Sequence, residues 1–336
     1  MAQPASGPTP APFTALYHSG AGGLSPVPDA TALALALADA EGLVWVDFLT
    51  GEEEAGALLR DVFRFHPLTI EDALSPRLDP AKIDEHADYL FIVTQAISSY
   101  VPGQTMELVE ADFYLGRNYV VSCHREPLPA ISRFVERCEQ DEYLLSRGAD
   151  WLLHGLVDEL VDEYLPVVDQ VDDEIDALEE AVLARPDANV LQRIMVTKRN
   201  TLRLRRAITP QRDIMNRLSR GEFPHLIGGE TAIYYRDVYD HLVRVEALVE
   251  GLRDLADGAL STYLSAVSNR LNEVMKALTL VATIFLPLTL ISGIFGMNFE
   301  ESFPPFDARW GFYAVAGFML AVAAGFVAYF RYRRWV

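Results

Sequence analysis

The sequence predicts a membrane protein in three parts: an α+β soluble domain, a long stalk helix leaving it, and two C-terminal transmembrane helices. Three observations carry this. The 336-residue chain is strongly acidic, with 48 Asp and Glu against 28 Lys and Arg and a net charge of −20, yet half of it is apolar and its mean hydropathy is slightly positive. The apolar surplus gathers in two charge-free runs, Ala277 to Phe299 and Trp310 to Phe330. No proline interrupts the chain between Pro224 and Pro287.

Residues 1–12 are rich in Pro, Ala and Gly and read as a disordered start. The first charged residue is Asp29, so the basic opening of a signal peptide is not expected. Residues 13–145 read as an α/β domain. Leu43 to Leu49 (LVWVDFL), Tyr89 to Ile97, Glu107 to Leu115 and Asn118 to Cys123 have strand character, the last two joined by a Gly-Arg-Asn turn. Glu52 to Phe63 and Leu68 to Leu74 read as helices between them. The acidity excludes a general nucleic-acid binder, which needs a basic surface to displace counterions. Two cysteines, Cys123 and Cys138, make neither a disulfide framework nor a Cys-based zinc site.

Residues 150–225 read as a helical hairpin of opposite charge. Asp158 to Glu180 holds eleven carboxylates, and no Lys or Arg stands between Trp151 and Ala184. Arg193 to Arg220 then holds nine basic residues and one acidic one, with Arg185-Pro186-Asp187 between the arms and Pro at the start of the second helix. Two explanations stand open: mutual neutralisation along solvated faces, or an acidic arm that gathers cations. Apolar positions then recur at three to five from Val238 to Leu271, which predicts a stalk helix over 231–276 running on into the membrane as one helix of some 60 residues.

A span needs roughly 20 apolar residues. Transmembrane helices are therefore expected over 277–297 and 310–330, joined by an external loop at 298–309 and followed by a basic tail at 331–336. Arg270, Lys276, Arg331, Arg333 and Arg334 flank the spans on one side, and Glu300, Glu301 and Asp307 lie in the loop. Excess Lys and Arg marks the cytoplasmic side, which puts both termini inside a cell membrane crossed twice. Projected at 100° per residue, Asn272, Met275, Thr279, Ala282, Leu286, Thr289, Gly293 and Gly296 fall within about a third of the first span's circumference. Small and hydroxyl residues on one stripe suit close helix packing or the lining of a water-filled pore, which would require an oligomer. Neither span holds an ionisable residue, which favours an ion that keeps its water; Mg2+ is reluctant to dehydrate.

The first span ends in Gly296-Met297-Asn298, followed by Phe299 and Glu300. With two terminal spans and a basic tail, this tripeptide resembles the signature of the CorA family of magnesium and cobalt transport channels. The likeness extends through Asn272 to Lys276, Pro287-Leu288-Thr289, His66 to Asp72, Tyr89 to Val93 and Asp172 to Asp176. The resemblance implies a funnel-shaped homopentamer in the lipid bilayer that passes Mg2+, with Co2+ and Ni2+ as further candidates, down the membrane potential. It implies Gly296, Met297 and Asn298 as the selectivity filter, with five Asn298 amides hydrogen-bonding the ion's hydration shell. It implies Asn272, Met275, Leu278, Ala282, Leu286 and Thr289 as pore lining, and Glu300 as the loop acid that attracts cations. It also implies closure by cytosolic Mg2+ bound between subunits at Glu71, Asp72, Asp158 and Asp237. Mg2+ is thus expected both as cargo and as regulator. Phe295 stands where the family often has Tyr, and the loop run Phe303-Pro304-Pro305-Phe306-Asp307 departs from its usual pattern.

Three other readings compete. A zinc-transporting relative of the same fold would lack His or Cys ligands near this pore. A non-conducting membrane-anchored cation sensor would need no polar stripe. A tethered enzyme finds no support in seven scattered histidines without metal-ligand spacing, nor in Gly20-Ala21-Gly22-Gly23, which has no strand before it.

Overall fold

The computed structural model describes residues 13–20, 22–50, 53–297 and 310–335. In chain order these form β1 (Phe13–His18), β2 (Leu24–Pro26), α1 (Ala30–Leu37), β3 (Leu43–Leu49), α2 (Glu53–Asp61), α3 (Pro67–Leu74), β4 (Lys82–Glu85), β5 (Leu90–Ser99), β6 (Glu107–Leu115) and β7 (Tyr119–His124). The helices α4 (Pro129–Gln140), α5 (Tyr143–Ser146), α6 (Ala149–Asp162), α7 (Tyr164–Ala184), α8 (Ala188–Ser219), α9 (Gly229–Phe295) and α10 (Gly311–Tyr332) follow.

The strands make one sheet in the order β2-β1-β3-β7-β6-β5-β4, antiparallel throughout except between β3 and β7. Side chains alternate across a strand, and both faces here are buried, so the central strands are apolar at nearly every position. Val44, Val46 and Phe48 of β3 join Phe91, Tyr114 and Val121 in a core with α1, α2 and α3. Leu43 and Trp45 turn the other way, into a second core with Phe113 and Val120 that continues through α4, α6, α7 and α8 to Leu252 and Ala256 of α9.

The chain divides into two compact units, residues 1–260 and 261–336. In the first, the charged arms do not simply neutralise each other. The acidic α7 reaches α8 by one ion pair among the described residues, Glu174 with Arg193 at 3.2 Å. The basic residues of α8 pair with α9 instead: Lys198 with Asp257 at 2.5 Å, Arg205 with Glu250 at 3.6 Å and Arg212 with Glu246 at 2.5 Å. The start of α8 also differs from expectation. Its N-cap is Asp187, whose carboxylate accepts from the backbone N–H groups of Asn189 and Val190, so Pro186 precedes the helix rather than opening it.

In the second unit, α9 continues past Pro287 to Phe295 without a break, and α10 follows the loop. Both helices are long and apolar enough to cross a membrane.

Candidate functional site

Local chemistry sets α3, which carries Glu71 and Asp72, firmly against the sheet. Pro67 occupies its first turn, where its missing N–H costs nothing, and Nδ1 of the N-cap His66 accepts from the Leu68 N–H at 3.3 Å. Tyr89 Oη accepts from the His66 N–H at 3.0 Å, and Tyr114 Oη donates to the Thr69 carbonyl at 2.7 Å. Glu71 stands exposed on this helix. Asp72 meets Lys82 of β4 at 2.6 Å, and Lys82 also meets Asp84 at 3.2 Å.

Asp158 and Asp237 come from other elements. Asp158 and Asp162 are one turn apart on α6, and Asp237 and His241 one turn apart on α9. Ligand atoms of Asp158, Asp162 and His241 all lie within 4.8 Å of one another. Asp162 is 3.7 Å from His241 Nδ1, and Asp237 is 4.0 Å from Nε2. Burial, then the neighbouring Asp162 carboxylate, pushes the Asp158 carboxyl up to about 6, with Asp237 adding to the rise and His241 opposing it. Oxygen and imidazole donors around an acid whose ionisation is opposed by its surroundings suit a divalent cation, which supplies positive charge. Asp162 and His241 were not expected here. The signal was the i, i+4 spacing on each helix, but only the pairing of α6 with α9 joins the two halves. Among the described residues, no hydrogen bond or ion pair links Glu71 or Asp72 to Asp158 or Asp237 within one chain.

The candidate pathway lies on α9. Asn272, Met275, Leu278, Thr279, Ala282, Leu286, Thr289, Gly293, Gly296 and Met297 are all exposed, Leu286 at 72% and Leu278 at 62%. The partly covered positions, among them Leu280, Thr283, Ile284, Pro287, Ile291 and Phe295, run along the other side of the helix. The stripe is therefore not the face used for packing within the chain. Thr279 and Thr289 donate to the Met275 and Phe285 carbonyls at 2.8 and 2.9 Å. This satisfies the hydroxyl protons internally and leaves oxygen lone pairs facing outward. The helix ends as Gly296 N–H reaches the Ser292 carbonyl at 2.9 Å. Asn298 and Glu300 lie outside the described residues.

A further acidic group occupies the soluble unit. Glu110 and Asp112 of β6 share one sheet face with Cys123, which pairs with Asp112 across the strands. Beyond Cys123, buried His124 sits 3.1 Å from both carboxylate oxygens of Asp47, which also accepts from Ser122. Burial lowers the His124 imidazole, but the bond to Asp47 outweighs it and the net direction is upward.

Most of the chain is similar to known proteins. Residues 40–334 match the family described as CorA-like Mg2+ transporter protein. Over 301 residues the chain is 38% identical to the cobalt/magnesium transport protein CorA of Thermotoga maritima, covering 89% of this chain and 85% of that protein. It is 26% identical over 304 residues to the divalent cation transporter CmaX of Pseudomonas aeruginosa, covering 88% of each. The complete structure of the CorA magnesium transporter from Methanocaldococcus jannaschii matches with a TM-score of 0.80 at 22% identity, over 96% of this chain and 98% of that one, a likeness of fold.

Proposed function

The chain belongs to the family of CorA-like Mg2+ transporter proteins, a family of divalent-cation transporters and not of enzymes, and on that premise we propose a passive channel for hydrated Mg2+ that closes when Mg2+ accumulates inside. The observation that carries the proposal is the α9 stripe from Asn272 to Met297. It is uncharged, exposed along its whole length, and set away from the partly covered side of the helix.

A single hairpin cannot enclose water, so the stripe serves as a pore only around a symmetry axis, and we assign a homopentamer in the cell membrane with both termini cytoplasmic. Gly296, Met297 and Asn298 form the filter at the outer end. Amide oxygens there accept from the ion's bound water and spare it dehydration. Met275, Leu278 and Leu286 form apolar constrictions that close by losing water, with Asn272, Ala282 and Thr289 between them. A dication crossing the membrane gains about 2.3 kcal/mol per charge per 100 mV, which drives entry without ATP. Co2+ and Ni2+ have the charge to follow the same route.

Cytosolic Mg2+ bound between subunits at Glu71, Asp72, Asp158 and Asp237 closes the ring. Facing carboxylates repel when empty, and a bridging dication holds them, so occupancy biases the closed arrangement. The test is Mg2+ flux into proteoliposomes. Asn298→Ala should lose selective Mg2+ flux, and equal flux in both proteins would overturn the filter. Asp72→Ala with Asp237→Ala should keep flux running at high internal Mg2+, and full inhibition of that variant would remove the sensor.

A further inference from the structure

The soluble unit contains a cavity of about 220 Å³ under the segment that joins α3 to β4, and its chemistry is not used by the pore or the sensor. Ser75, Arg77 and Leu78 close it from above, and Glu110 and Asp112 of β6 line it from the sheet. Asp112 is 2% exposed, and its Oδ1 has no hydrogen-bond partner. Its other contact is the Glu110 carboxyl. Glu110 accepts from the Asp79 N–H at 2.5 Å, and Gln95 donates to the Asp79 carbonyl at 2.7 Å, so the covering segment is tied to the sheet beside the acid pair.

The electrostatics of this place are unbalanced. Asp72 on α3 and Asp79 in the covering segment add their negative charge to the pair. Lys82 is committed to Asp72 and Asp84, and His124 to Asp47. Arg125 donates to the Leu74 carbonyl at 3.3 Å, and Arg77 and Glu126 stand at the exposed rim. On the sheet side Cys123 is buried and uncharged, its thiol pushed up by burial. A buried carboxylate beside a half-buried one, with no cation paired to either, is costly and is relieved by a proton or by a metal ion. Burial raises both carboxyls; at Asp112 the neighbouring Glu110 adds to the rise, and at Glu110 the charges of Asp79 and Asp72 do, the expected sign of a site short of positive charge.

We infer that the Glu110–Asp112 pocket is a divalent-cation site within a single chain, separate from the pore and the intersubunit sensor. Mg2+ and its mimics are commonly held by one or two carboxylates while keeping several waters. At about 30 Å³ of liquid volume per water, the cavity has room for the ion with a partial hydration shell. Asp112 Oδ1 supplies a free lone pair, Glu110 supplies a second carboxylate, and waters complete the octahedron. Binding displaces the proton that the two carboxyls share when no metal is present. An occupied pocket fastens the segment after α3 to β6, a direct link between ion level and the helix that carries Glu71 and Asp72.

The test uses the full chain and Mn2+, which is visible by anomalous scattering. Crystals grown with MnCl2 above neutral pH should show a peak between Asp112 and Glu110, and Asp112→Asn should remove that peak while leaving those elsewhere. In solution, Mn2+ counted by electron paramagnetic resonance should fall by one ion per chain in Asp112→Asn and in Glu110→Gln. A wild-type pocket with no anomalous peak would mean that a proton alone neutralises the pair, and the inference fails. A peak or stoichiometry unchanged by both substitutions overturns it equally. The wild-type crystals decide the matter even if a variant folds poorly, and the result is independent of flux through the pore.

Discussion

Asp162, the last residue of α6, places a carboxylate oxygen 3.7 Å from Nδ1 of His241 on α9. The contact stands beside Asp158, where burial and then the Asp162 carboxylate raise the carboxyl and His241 opposes the rise.

The pH response follows from Asp158, whose carboxyl is pushed up to about 6 from an ordinary 3.8. A carboxyl raised by folding contributes stability in full below its unfolded value, and that contribution is lost as pH rises through the folded one. The metal-free chain should therefore gain thermal stability from Asp158→Asn at pH 7.5 but not at pH 4. Mg2+ should raise the melting temperature of the wild type more at pH 7.5 than at pH 5, because at low pH the ion competes with a bound proton. Melting curves at the three pH values decide it, and a substitution effect independent of pH would refute the assignment.

Closure by dewetting depends on apolar rings. Leu286→Asn places an amide on the exposed stripe and lets water remain in the constriction. Flux at inhibiting internal Mg2+ should rise several-fold over wild type. Ile291→Asn, on the partly covered side of the helix, should not reproduce the gain. If the two variants match each other in proteoliposome flux, the stripe is not the pore lining.

Glu174 ties the acidic helix to the sheet. Its side chain is fully buried and accepts from the Gly103 N–H at 2.7 Å, Tyr100 Oη at 3.1 Å and Arg193 at 3.2 Å. Gly103 has φ of +79°, so the turn meeting Glu174 requires glycine. Glu174→Ala strands two donors and should cost about 2–3 kcal/mol. Arg193 is partly exposed and its pairing adds little of that. Chemical denaturation of the detergent-solubilised chain measures the loss.

Gly155 of α6 lets Phe134 of α4 approach closely. A Cβ there would lie 2.6 Å from the Phe134 ring, which itself packs edge-on against Trp45. Gly155→Ala should destabilise by about 1–3 kcal/mol through overpacking, despite alanine's better helix propensity. A raised melting temperature would show that Phe134 can move aside.

The fold was readable where burial dominates composition. LVWVDFL announces β3, and the charge-free runs announce the ends of α9 and α10. β4 was not expected, because Lys-Ile-Asp-Glu has no apolar alternation; it is a strand because the edge of β5 offers it backbone partners. β1 sits directly after the Pro- and Ala-rich opening, which hides it; Phe13 and Ala15 bury in one core and Leu16 in the other, so a strand does precede Gly20, contrary to expectation. Neither α1 nor α4 was expected, although Ala130, Ile131, Phe134 and Cys138 of α4 keep helical spacing. At the candidate sites, Glu71, Asp72, Asp158 and Asp237 were reached through family likeness. Asp162 and His241 carried only an i, i+4 spacing on separate helices, and Glu110 and Asp112 only alternate positions on one strand; what makes each a site is contact between distant segments.

The lone parallel pairing, β3 with β7, also sets an order of events during synthesis. Its register joins Val44 to Tyr119 and Leu49 to His124, so the middle of the sheet cannot close until β7 has left the ribosome. Such long-range pairing is slow to form. The first apolar span is made well after β7, and at 5–20 residues per second the interval is on the order of ten seconds. The sheet thus has a head start on the membrane anchor, whereas the core on one of its faces waits for Leu252 and Ala256 of α9, which are made just before the span.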